Sequence, residues 1–203
     1  MQRIENWETV EAKGTEDFKA LPIGAYECVI RGAKVHTNPE TKKESFKVAV
    51  DIASGEYKGY FQKRFDNNTN SEKKWDNNAT RYLAFQGDNS AYFKGFITCV
   101  ENSNPGYKWD WDETKLANKK ICGVFQYEEY ERQDGTRGVK VRLNKFRSLD
   151  KMKEIEVSDS VRMLNGSYMD IDDYNEKNEK STAEEIFGSS IVETDNGDFP
   201  FEI

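Results

Sequence analysis

Hydrophobic and polar residues alternate in several short runs, and these runs predict a mainly β fold. Tyr26 to Val35 is β-prone, with Gly32 inside it as a candidate bulge or tight bend. His36 to Lys43, holding Asn38-Pro39 and Lys42-Lys43, reads as a turn. In the next run Phe46, Val48, Val50 and Ile52 face one way, and Lys47, Ala49 and Asp51 the other. Ser54-Gly55 then turns into Tyr57 to Phe65, which predicts a third strand carrying rings and bases, with Phe61 and Phe65 buried and Tyr60 exposed. Asp66 to Asn78 is a polar, Asn-rich excursion, and a helical turn is predicted through Arg81 to Phe85.

The strongest helix follows. Asp88-Asn89-Ser90 supply cap candidates, Phe93, Phe96, Ile97 and Val100 recur at helical spacing, and Asn102 to Pro105 stop it. After a loop with Trp109 and Trp111, read as packing or rim residues, come Ile121 to Tyr127, the hairpin signal Asp134-Gly135, and a strand with Val139, Val141 and Leu143 inward. Three strands, a helix and two strands is the order of a five-stranded OB-type barrel, in which strands 2 and 3 and two loops bind oligonucleotides. A small β-sandwich would also hold so few strands; the helix favours the barrel.

Charge divides the chain. Residues 169–203 carry eleven acids and two bases, −9, whereas residues 1–168 carry 28 bases and 26 acids, +2. The division predicts an N-terminal arm (1–20), a binding domain (21–168) and an acidic flexible tail (169–203), because 170–198 offers little to bury. The tail's end, Asp195-Asn196-Gly197-Asp198-Phe199-Pro200-Phe201, suits a docking peptide: Phe199 and Phe201 around Pro200 enter a pocket while Asp195 and Asp198 meet a basic rim.

Mean hydropathy is −0.90, and no apolar run approaches the roughly 18 residues of a membrane helix, so no membrane is expected as partner. The first residues hold no signal-peptide core. Cys28, Cys99 and Cys122 each lie in apolar stretches and read as reduced core residues of a cytoplasmic protein. With His36 as the single histidine and no Cys-x-x-Cys, neither a metal nor another cofactor is expected. Nucleotide-binding and nucleophile motifs are missing, so the parts of an enzyme are not assembled.

Binding a single strand needs only a basic groove and exposed rings. Candidates are Lys47, Lys58, Tyr60, Lys63, Arg64, Lys73, Lys74, Trp75, Arg81, Tyr82, Arg137, Lys140 and Arg142, with Arg132 flanking the last hairpin; Trp75, among Lys and Asn, is the leading stacking candidate. The pattern from Leu21-Pro22-Ile23-Gly24-Ala25-Tyr26-Glu27 through Val100-Glu101-Asn102-Ser103-Asn104 to Asp134-Gly135 resembles phage and mobile-element single-stranded DNA-binding proteins over most of residues 7–147. Asp198-Phe199-Pro200-Phe201 is similar to the acidic tip of bacterial single-strand binding proteins. That resemblance implies sequence-independent single-stranded DNA binding in a bacterial host cell. It also implies a tail that recruits replication and recombination proteins, although here Glu202 and Ile203 follow the last Phe. A homo-oligomer is compatible with this sequence. Two other readings are an adaptor or inhibitor that uses the tail without binding nucleic acid, and an RNA-binding module of the same fold.

Overall fold

The computed structural model describes residues 19–178. Among the described residues seven strands form one open sheet: β1 (Gly24–Thr37), β2 (Glu44–Ile52), β3 (Thr80–Leu83), β4 (Lys120–Glu131), β5 (Arg137–Arg147), β6 (Ser160–Arg162) and β7 (Tyr168–Asp170). The order is β3-β2-β1-β4-β6-β7, with β5 on the other edge of β4. Helix α1 (Tyr60–Asp66) lies between β2 and β3, α2 (Ser90–Ser103) between β3 and β4, and a third helix, α3, covers residues 171–178.

A closed five-stranded barrel is therefore corrected to an open sheet. β3 comes beside β5 but exchanges no ladder bonds with it. At four residues β3 is too short to zip a long seam, and β4 instead takes β6 as a parallel neighbour at Tyr127 and Glu128, just past where β1 leaves it.

The long β1 organises the sheet. Its first half pairs with β4 and its second half with β2, both antiparallel. The register jumps between Ile30 and Gly32, so Arg31 is the extra residue of a bulge, as Gly32 led one to expect. Bulging bends a strand and re-aims a side chain.

The segment expected as a third strand is helix α1. Phe61 and Phe65 are four apart, a spacing that shares a face in a helix as well as in a strand. Two features select the helix. Gly59 adopts a left-handed φ of 71°, which reverses the chain at little cost only for glycine. Asp51, expected to face solvent, is buried, and its Oδ1 accepts from Phe61 N (3.0 Å) and Ile52 N (2.9 Å). A carboxylate on the first turn of a helix satisfies an orphan amide. Replacing Asp51 with Ala should cost about 1–3 kcal/mol in urea unfolding, since two donors lose a charged acceptor; an unchanged midpoint would show that the cap contributes nothing.

The helical turn expected at Arg81 to Phe85 is also corrected: Thr80–Leu83 is strand β3, paired with β2 through Phe46↔Leu83 and Val48↔Arg81. Helix α2 falls where its spacing predicts. Phe96 meets Phe46 and Phe146 at ring-centroid distances of 6.3 and 5.0 Å, closing one end of the core. Asn104 ends it, donating to Val100 O (2.7 Å) and Lys120 O (2.8 Å) and accepting from Lys120 N (2.9 Å), which ties the helix to the start of β4.

Phe46, Val48, Val50 and Ile52 are buried as expected, around Ile30, Phe61, Ile121, Phe125 and Leu143. Val139 and Val141 are only partly buried, because they line the open seam. Cys28 and Cys122 are buried, Cys99 is half-buried and all three are free; burial pushes the Cys122 thiol up to about 11. Residues 169–178, expected as the start of the flexible tail, complete β7 and form α3 instead, with Tyr174 buried. Among the described residues no helix is long and apolar enough to cross a membrane.

Candidate nucleic-acid interface

Ladder register lines up three residues across the outer face of β1, β2 and β3: Lys34 opposite Lys47, and Lys47 opposite Tyr82. The Lys47 ammonium lies 5.5 Å from the Tyr82 ring centroid, and the His36 ring packs 5.4 Å from the same ring. Beside this row lies a groove of about 290 Å³, with Gly32 and Ala49 as its floor and Arg31, Lys34, Lys47 and Trp75 around it. A Cβ added at Gly32 would meet nothing within 4 Å, so the space above it is open.

Trp75 closes one end. Its Nε1 donates to Val50 O at 3.1 Å, which fixes the ring against the sheet, and the bulged Arg31 sets its guanidinium 5.8 Å from the indole while donating to Gln62 Oε1 at 2.7 Å. The leading stacking candidate is thus half-buried and anchored. On its other side Phe65 of α1 packs at 5.7 Å and borders a second groove, of about 420 Å³, with Arg64, Asn67, Asn68, Lys74 and Asp76. Lys73 lies 5.8 Å over the Phe65 ring. Arg64 and Asp76 also border a third groove along the seam, where Tyr60, Tyr127, Val139, Lys140 and Val141 join them. The second and third grooves share Arg64 and Asp76, and the first adjoins the second where Trp75 packs on Phe65.

Charge along these grooves is uneven. Arg64 is paired with Asp76 (2.9 Å), Arg137 with the buried Glu129 (3.4 Å) and Arg142 with Glu128 (2.6 Å). Those three guanidiniums, expected as phosphate ligands, have carboxylate partners; Glu129 also accepts from Leu164 N, which ties β4 to the chain after β6. Arg132 donates to Arg137 O at 2.6 Å, within its own hairpin. Among the described residues Lys47, Lys58, Lys63, Lys73, Lys74 and Lys140 have no salt bridge, and neither do Arg31 and Lys34, which sequence reasoning passed over. Lys58 and Lys63 are exposed but line none of the grooves. Lys140 sits 4.7 Å from the Tyr130 ring.

Arg81 is the exception in environment. Burial, then the like charges of Arg162 and Arg142, hold its guanidinium below the usual arginine range, with Glu128 opposing. Of the two loop tryptophans, Trp109 packs on Phe46 and Phe93, while Trp111 is 80% exposed on a backbone of φ 68°. Asp195, Asp198, Phe199, Pro200 and Phe201 lie outside the described residues. Among the described residues no group of three or more His, Cys, Asp or Glu side chains could hold a metal ion.

The signal for Arg31 and Lys34 was available in part: a glycine inside a strand marks a bulge, and a bulge commonly re-aims a neighbour. Compared with protein-family models the chain matches none. Among the curated proteins none is significantly similar to it.

Proposed function

We propose that this chain binds single-stranded DNA without sequence preference, in phage or mobile-element replication and recombination, and that it is a binding protein and not an enzyme. The observation that carries the reading is the row Lys34, Lys47 and Tyr82. Like charges directly opposite in a sheet destabilise it, and neither lysine has a carboxylate partner among the described residues. Such a pair is relieved when an anion lies across it. Phosphates would follow Arg31, Lys34, Lys47, Lys73, Lys74 and Lys140, and bases would stack on Tyr82 and on the exposed part of Trp75, each stack contributing roughly 1–3 kcal/mol.

Strand connectivity supports an OB-type domain: β1 bridges β2 and β4, a helix precedes β4, and β3 lies beside β5. In this reading the barrel is left unzipped at that last pair, and β6 and β7 are additions. The acidic segment ending in Phe199-Pro200-Phe201 would recruit replication or recombination proteins, as its resemblance implies.

The test is fluorescence anisotropy of labelled oligo-dT with the full chain at several salt concentrations. Six cations on a single strand predict a slope of log affinity against log salt of about −4. Matched oligo-U, run beside it, should bind no better, since no contact here selects the 2′-hydroxyl. No oligo-dT binding at low salt would sink the reading and favour an adaptor.

A further inference from the structure

One carboxylate holds two guanidiniums. Glu128 on β4 sits between β5 and β6; its Oε1 accepts from Arg142 Nη1 at 2.6 Å and its Oε2 lies 3.7 Å from Arg162 Nη1. Arg81 on β3, beside β5, lies within electrostatic reach of Arg162, Glu128 and Arg142, and its guanidinium has no hydrogen bond or ion pair among the described residues. Arg142 Nε is buried without a hydrogen-bond partner among the described residues. Tyr168, the ladder partner of Arg162, is 56% exposed at the rim. Three guanidiniums and one carboxylate leave +2 in a partly desolvated place. An uncompensated buried charge is costly, and a buried donor without an acceptor adds to it.

We infer that Arg81, Arg142 and Arg162 form a binding site for one phosphoryl group, with Glu128 holding two of the forks in place. A phosphoryl group suits it because it offers several acceptor oxygens to planar guanidinium forks and carries up to two negative charges. Arg162 is 38% exposed at its side chain and Arg142 25%, so a ligand can reach them from solvent. Arg142 is two residues from Lys140, which lines the seam groove, on the same strand. That a DNA strand supplies the group rests on the function proposed above; the site itself does not. A terminal phosphate, as a dianion, would neutralise the +2, whereas an internal phosphodiester would leave +1.

The experiment uses the full chain. Its thermal midpoint is followed against inorganic phosphate, with chloride at matched ionic strength as the reference. At ten times the dissociation constant the midpoint should rise by about 3–6 °C. That rise should be largely lost in Arg81→Gln and in Arg142→Lys, which keeps the charge but not the fork. General salting effects of phosphate act on all variants alike. Without phosphate, Arg81→Gln should be at least as stable as the wild type, because it removes like-charge repulsion. If either variant fails to fold, the more exposed Arg162→Gln takes its place.

A phosphate response equal to that of chloride, or one that survives all three substitutions, would overturn the site. Oligo-dT with and without a 5′-phosphate separates the sources. Tighter binding of the phosphorylated strand, lost in Arg81→Gln, assigns a terminal phosphate; equal binding, weakened for both strands by Arg81→Gln, assigns a backbone phosphate. Loss of the phosphate response in the variants, with no oligo-dT binding by any form, supports the site and overturns the DNA reading alone.

Discussion

Lys34→Glu is expected to weaken oligo-dT binding by tenfold to a hundredfold while making the protein slightly more stable. The loss has two parts: one phosphate contact disappears, and a negative charge now faces the strand. The salt slope should shrink by about 0.7, the share of one cation on single-stranded DNA. Stability moves the other way, because the opposed Lys34 and Lys47 become an opposite-charge cross-strand pair, a gain of roughly 0.2–1 kcal/mol. Anisotropy and urea unfolding measure the two quantities on the same sample. Opposite signs are the diagnostic result: a lysine kept only for solubility would leave affinity unchanged, and one needed for folding would lower stability. If Lys34→Glu bound oligo-dT as well as the wild type, the outer face of β1 to β3 would not be the binding face.

Phe61→Ala should be the most destabilising substitution in α1, costing about 3–5 kcal/mol. Phe61 is 2% exposed, stacks on Phe125 at 5.7 Å with an interplanar angle of 18°, and meets Tyr60 edge-on at 5.0 Å. A seven-residue helix cannot sustain itself by backbone bonds alone, since short helices are marginal in water. Its place depends on this ring and on the Asp51 cap. The expected cost is a large share of a typical folding free energy of about 5–15 kcal/mol. In thermal unfolding the midpoint should fall by about 6–20 °C. Because Tyr60, Arg64 and Phe65 border two of the grooves, oligo-dT affinity should fall as well. Phe61→Leu, which keeps most of the volume, should recover most of both losses. A drop under about 1 kcal/mol for Phe61→Ala would mean that α1 is not seated on Phe125.

How far the chain could be read before its structure depended on whether a local pattern had one solution. Phe46, Val48, Val50 and Ile52 alternate strictly, and an alternating run with one buried face has one register, so β2 was legible with its inward set. Phe93, Phe96, Ile97 and Val100 fit only a helix. Phe61 and Phe65 fit both periods, and what decided between them was the left-handed turn at Gly59 with the Asp51 carboxylate, ten residues before Phe61 in the chain. Strand β3 carries Arg81 where a core residue would have announced it, and its four residues are too few for a period to appear.

Residue types in the site were legible and their relations were not. Lysines among rings identified Lys47, Tyr82 and Trp75 as candidates, because such interleaving can be seen without coordinates. Which cations are already neutralised cannot be seen that way: Arg64 and Asp76 are twelve residues apart, and Arg142 and Glu128 fourteen. The sequence by itself determined a mainly β chain with a helix before the β4–β5 hairpin, cysteines in apolar stretches and an acidic segment set against a nearly neutral body. Tertiary structure alone decided that Lys34 faces Lys47, that the bulged Arg31 meets Trp75, and that Arg142 and Arg162 share Glu128. The physical reason is that periodicity is a property of neighbours along the chain, whereas charge balance and desolvation are properties of neighbours in space, created only when distant strands come into register.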